Sequence, residues 1–182
     1  LRATDVMQGV VYGTRIEGMC NNPFLRTRFD FDEAFGTAIN RFCAQVTVGA
    51  PITPYGKGGQ KRGFLPLRDS MACLSLLLGS PAAQGEYRVV NQFAEIYQLG
   101  ELAERVATLS PGGTVQHLTN PRKENEDHEY EADCKILPSL GYEPSSVDID
   151  AEIKIMLNDL EHHADRINEC SRVLTPTITW DK

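Results

Sequence analysis

The stretch from Thr53 to Asp69 (Thr-Pro-Tyr-Gly-Lys-Gly-Gly-Gln-Lys-Arg-Gly-Phe-Leu-Pro-Leu-Arg-Asp) constrains the fold more than any other part of the chain. A short strand at Ile52 to Tyr55 runs into a glycine-rich turn. A second short strand follows at Gly63 to Leu67, and Asp69 or Ser70 then caps an apolar helix closed by Gly79-Ser80-Pro81. Arg62 stands between the turn and the second strand. One guanidinium is thereby held beside flexible backbone, an arrangement that suits a diphosphate, because its planar fork gives paired hydrogen bonds to phosphate oxygens. On its residues alone Arg62 also reads as a solvated surface arginine.

The remaining segments alternate between strand and helix. Leu1 to Val6 reads as a strand end and Gln8-Gly9 as a turn, and Asn22 to Arg28 reads as a loop. Asp32-Glu33 open a helix that runs to about Val48, with Phe35, Ala38, Ile39, Phe42, Cys43 and Val46 on one apolar stripe. Glu86 to Asn91 and Thr114 to Leu118 read as strands. Leu99 to Leu109 is an amphipathic helix with Leu102, Ala103, Val106 and Leu109 on one face. Asp133 to Leu140 is a short helix weakened by Pro138, and Asp150 or Ala151 begins a last helix to about Cys170. Thr175 to Trp180 is extended. The pattern is α/β, with no internal repeat and no clear linker.

Composition removes several functions. With 182 residues the chain suffices for one domain or for half of a larger two-domain enzyme. A net charge of -7 and a pI of about 5.1 argue against a nucleic-acid binder, which needs a basic face. No apolar run approaches the roughly 18 residues of a membrane span, and no basic leader precedes an apolar segment. The five cysteines are odd in number and form no C-x-x-C pair, which points to a reducing, cytoplasmic compartment, with Cys43 and Cys73 as core residues. The sequence starts at Leu1 inside a strand-like segment and reads as cut from a longer protein. No G-x-G-x-x-G joins a strand to a helix, so the dinucleotide fingerprint is missing.

Other constellations carry less. Gly56-Lys57-Gly58-Gly59 fails the Walker A spacing and reads as a tight turn with Lys57 at the surface. Phe35 suits the core as well as a ligand, and Thr37 sits where a helix start favours an anion. His128 lies in an acidic run, from Glu124 to Asp133, without zinc-helix spacing. His162 and His163 are adjacent and face no common ligand. Asp148 to Glu152 lacks the glycine of a calcium loop. Asp69 is read as the helix N-cap rather than as a catalytic acid.

Several longer stretches carry a family resemblance. They include Gln8-Gly-Val-Val-Tyr-Gly13, Phe35-Gly-Thr-Ala-Ile-Asn-Arg-Phe42, Tyr55-Gly-Lys-Gly-Gly-Gln60, Arg62-Gly63, Arg68-Asp69 and Asn120-Pro-Arg122. In this order the chain resembles the C-terminal half of the extended short-chain dehydrogenase/reductases (the NAD-dependent epimerase/dehydratase family), and within them the sulfoquinovose-synthase branch. Met7 stands where that branch has asparagine, and Pro66 where an acidic residue is usual.

The resemblance implies a substrate-binding portion over residues 1–182 that starts in the last part of a Rossmann-like lobe. The NAD-binding portion and the catalytic Tyr-x-x-x-Lys would lie upstream. It further implies a UDP-sugar, UDP-glucose, as ligand and NAD as cofactor. The glucose 4-hydroxyl would be transiently oxidised before dehydration and sulfite addition at C6. Gln8 would touch the hexose and Val11 the nicotinamide end. Phe35, Gly36, Thr37 and Ala38, with Thr53 to Tyr55, would line the sugar-nucleotide pocket, and Arg62 and Arg122 would hold the diphosphate. A homodimer is the family's option for the full-length protein. Two alternatives stand beside this reading: 4-epimerase or 4,6-dehydratase chemistry, and a free-standing sugar-nucleotide binding module.

Overall fold

The strands divide into two sheets. In a computed structural model that describes the chain except residues 17, 20, 21, 26, 122–131, 146–147, 176 and 178–182, β1 (Ala3–Gln8) pairs in parallel with β4 (Tyr87–Gln92). The register runs from Ala3 opposite Tyr87 to Gln8 opposite Gln92. The second sheet has the order β2 (Val10–Tyr12), β3 (Lys61–Pro66), β5 (Glu95–Gln98). β2 and β3 are parallel, and β3 and β5 antiparallel. Gly9 carries the chain from one sheet to the other. Its amide donates to the Gln92 carbonyl, and a Cβ there would lie 2.7 Å from the Gly63 carbonyl oxygen. The sheet change therefore needs a residue without a side chain.

The helix expected from Asp32 begins later. The Asp32 carboxylate accepts the amides of Ala34 (2.7 Å) and Phe35 (2.8 Å) and closes a separate turn. Helix α1 is Ala38–Thr47, capped by the Thr37 hydroxyl, which accepts the Asn40 amide. Its stripe of Ile39, Phe42 and Cys43 is fully buried, as the 3, 4 spacing requires. Phe35 stays outside the helix and is 76% exposed. Helix α2 (Leu67–Gly79) starts before Asp69, so Asp69 is not its N-cap. Its buried carboxylate instead accepts the Ser145 amide, 3.3 Å from each oxygen, and ties down a distant loop.

Helix α3 (Leu99–Thr108) buries Leu102, Ala103 and Val106 as the pattern predicts. Only one turn, α4 (Ile136–Ser139), forms in the segment expected from Asp133. The expected last helix is two helices, α5 (Ile149–Glu161) and α6 (Ala164–Glu169), broken at His162 and His163, both exposed. Asp148 caps α5 by accepting the Ala151 amide at 2.8 Å. The expected strands at Ile52 to Tyr55 and Thr114 to Leu118 meet only through isolated parallel bridges, Ile52 to Val115 and Tyr55 to Leu118. Strand β5 was not expected, because four residues are too few to show alternation.

The larger core joins Tyr12, Ile39, Phe42, Phe64, Leu102, Val106, Ile153 and Met156 across β2, β3, α1, α3 and α5. A smaller one, Cys73, Leu77, Val90, Leu137 and Tyr142, lies between β4, α2 and α4. Among the described residues no helix is long and apolar enough to cross a membrane.

Candidate functional site

A cleft of about 210 Å³ opens where the start of α1 faces strand β3. Its floor follows a period-2 alternation: Arg62 and Phe64 of β3, and Gln60 just before the strand, all line the cleft. Opposite them stand Gly36, Thr37 and Ala38 at the helix start, with Arg41 and Phe42 one turn on. Tyr55 and Pro54 close a third side, and Glu33 and Val10 also reach it.

The polar inventory is cationic on balance. Arg62 is half-buried, and its Nη1 donates to the Lys61 carbonyl at 2.8 Å. Arg41 is 5% exposed, donates to the Thr53 carbonyl at 3.0 Å, and stacks on the rings of Tyr55 (5.1 Å) and Phe42 (5.6 Å). The start of α1 borders the cleft through Thr37 and Ala38, a helix end whose dipole favours anions, and its Asn40 amide is already accepted by the Thr37 hydroxyl. Among the described residues Glu33 is the one cleft-lining carboxylate, and its Oε2 accepts the Thr177 amide.

The sequence-predicted residues do not all meet in the cleft. Gly36, Thr37, Ala38, Tyr55 and Arg62 come together in the cleft. Thr53 is buried behind it: its amide donates to Gln45 Oε1 (3.0 Å), and its hydroxyl accepts from Gln45 Nε2 (2.6 Å). Gln45 also reaches the Leu174 carbonyl, so Thr53 anchors the Pro54–Tyr55 wall and does not line the cleft. Phe35 is exposed beside the cleft with the Arg28 guanidinium 6.0 Å from its ring.

Gln8 stands at the carboxyl end of β1, the edge where α/β sheets bind ligands. Its amide nitrogen donates to the Ser70 hydroxyl (2.8 Å) and to Gln92 Oε1 (3.0 Å). Val10 lines the cleft, whereas Val11 follows it on the opposite face of β2. Arg122, like His128, lies outside the described residues.

The glycine loop is a turn. Gly56 and Gly58 take φ of 56° and 76°, and the Gly58 amide donates to the Tyr55 carbonyl. Sequence reasoning missed Arg41 and Gln60. The signals were there: Arg41 lies three residues after Ala38 on the same helical face, and Gln60 stands two before Arg62, immediately ahead of β3.

Among the described residues no group of three or more His, Cys, Asp or Glu could hold a metal ion. No family model matches the chain. It is 47% identical, over its whole length, to UDP-sulfoquinovose synthase from Sulfolobus acidocaldarius, and 42% identical to the chloroplastic UDP-sulfoquinovose synthase of Spinacia oleracea. Both matches run over the whole of this chain. It spans 47% and 38% of those two relatives.

The fold agrees. UDP-glucose 4-epimerase from Thermotoga maritima, solved with UDP-glucose, superposes with a TM-score of 0.68 at 16% identity, over 90% of this chain and 47% of that one. The Thermus thermophilus UDP-glucose 4-epimerase, solved with NAD, gives 0.64 at 20% identity, over 87% and 46%. The α/β fold is thus one that these epimerases share over about half of their length.

Proposed function

We propose that this chain forms the nucleotide-sugar wall of an enzyme of the sulfoquinovose-synthase type, converting UDP-glucose and sulfite to UDP-sulfoquinovose through a 4-keto sugar. The observation that carries the reading is the placement of Arg62 opposite the capped start of α1, in one cleft with Arg41 and Tyr55. A guanidinium fork and a helix N-terminus are both anion ligands, and together they suit a diphosphate. The choice of sulfoquinovose chemistry over epimerisation rests on the 47% and 42% identities, since the solved epimerases share only the fold.

The cleft is smaller than the roughly 300–1,000 Å³ of a complete small-molecule site, as suits one wall of a site shared between two lobes. NAD supplies the hydride chemistry in this family. The described residues hold no strand–glycine loop–helix cradle for its pyrophosphate, and no tyrosine of the chain is followed four residues on by lysine. This chain's share is therefore binding and orientation. Arg62, and Arg122 by family match, neutralise the diphosphate; Thr37 and Ala38 present backbone amides; Gln8 meets the hexose; Val11 borders the nicotinamide. The chain alone is inactive.

Titration calorimetry of UDP-glucose against the intact protein tests this. Arg62→Ala is expected to weaken binding by about ten- to a hundredfold, the scale of a charge-assisted hydrogen bond. Equal affinity of the two forms removes the diphosphate role.

A further inference from the structure

Among the described residues, Gln60 lines the cleft with a sealed side chain, 1% exposed, neither of whose polar atoms, Nε2 and Oε1, has a hydrogen-bond partner. Its backbone is committed elsewhere, the carbonyl accepting the Leu99 amide at 3.1 Å. Burying a carboxamide without partners costs about 1–3 kcal/mol per group, so such a residue at a binding cleft calls for a ligand that supplies them. Glu152 Oε1, another buried polar atom without a partner, lies away from this cleft.

We infer that Gln60 is the neutral specificity residue of the cleft, pairing with a ligand group that offers a hydrogen-bond acceptor and a donor side by side. This rests on the nucleotide-sugar reading above. A carboxamide presents one N–H face and one carbonyl face in a plane. It cannot substitute for a guanidinium on phosphate, so its role differs from that of Arg62. Two residues along a strand span about 6.6 Å, which puts the paired group next to the diphosphate rather than on it. Two parts of a nucleotide sugar carry this chemistry: the nucleoside, through its ribose diol or imide edge, and the hexose, through vicinal hydroxyls. A ligand lacking such a group would leave the buried carboxamide unpaired and be rejected on that account.

Gln60→Met keeps the shape of the side chain and removes both polar groups. The intact protein and this variant are titrated with UDP-glucose and with UDP, and melted with and without each. The variant is expected to melt at or above the wild-type temperature without ligand, because an unsatisfied buried group has been removed, yet to bind UDP-glucose about tenfold or more weakly. The same loss with UDP assigns the nucleoside, and a loss confined to UDP-glucose assigns the hexose.

If wild type and variant bind UDP-glucose equally, the inference about Gln60 is wrong and the Arg62 reading survives. If the wild type binds neither ligand, the nucleotide-sugar reading fails and takes this inference with it. Should the variant not fold, a crystal structure of the wild-type protein with UDP-glucose decides. Gln60 amide atoms within hydrogen-bond distance of the ligand support the inference, and a water or protein group in that place overturns it.

Discussion

The two sheets of this molecule treat water differently. In the three-stranded sheet, Phe64 and Tyr12 vanish beneath α1, α3 and α5, and their rings meet edge to face at 6.2 Å. In the two-stranded sheet only one face is covered. Val90 is fully buried against Cys73, Leu77 and Leu137, but its neighbour Val89 is 42% exposed and Met7 53%. Parallel ladders are ordinarily buried on both faces, and a two-stranded sheet alone is marginal. The cleft is built on the sheet that carries the larger core. The lesson is that the binding wall belongs to the larger packed unit, while the β1–β4 pair rests on the smaller one.

The sharpest way to break this comparison is to empty the larger core. Phe42→Ala should cost about 3–5 kcal/mol by urea unfolding, against a change within about 0.5 kcal/mol for Met7→Ala on the open face of β1. Comparable losses from the two would mean that the sheets share one stability.

A smaller effect comes from the buried ion pair beside β2. Glu152 is fully buried, its Oε2 accepts Arg68 Nη2 at 2.6 Å, and its Oε1 has no partner. A Cβ on Gly13 would lie 2.7 Å from that oxygen, so glycine makes the room for it. Burial pushes the Glu152 carboxyl above its ordinary value of 4.5 despite the attraction of Arg68. A raised folded value means that the associated stability is complete below the unfolded value and is lost as pH rises through the folded one. The urea midpoint of the wild type should therefore fall relative to that of Glu152→Gln as pH rises from 4 toward 8. A wild type that gains on the variant would show that the Arg68 pair outweighs burial.

The smallest effect is chemical. Burial lifts the Cys43 thiol to about 12 and raises that of Cys73 as well, while Cys170 is exposed. In a native thiol-reagent titration at pH 8, Cys170 should react at once, and Cys43 and Cys73 only after denaturation. Prompt labelling of Cys73 alone would place the opening in the smaller core.

Much of this was legible in the chain. The spacing of Ile39, Phe42 and Cys43, and of Leu102, Ala103 and Val106, marks two buried helix faces because a 3.6-residue period leaves no other way to hide them. The Gly56–Gly59 turn follows from glycine alone. Local signals misled at Asp32, Asp69 and Asp150, because an aspartate before an apolar run announces a cap without saying which amide it will accept. Asp32 caps a turn, Asp69 holds the loop at Ser145, and Asp148 takes the helix end expected at Asp150 or Ala151. Five of the residues named through the whole-chain resemblance line one cleft, but the resemblance could not show that Thr53 is spent on Gln45.

By itself the sequence determined the α/β order, the amphipathic faces, the glycine turn and the position of Arg62 at the head of a strand, since each depends on residues close in the chain. Only the tertiary structure decided that the strands form two sheets, that Arg41 stacks between Phe42 and Tyr55, and that Gln60 is sealed without a partner. Those outcomes depend on which distant backbone and side-chain groups compete for the same hydrogen bonds and the same space, and no local pattern records that competition.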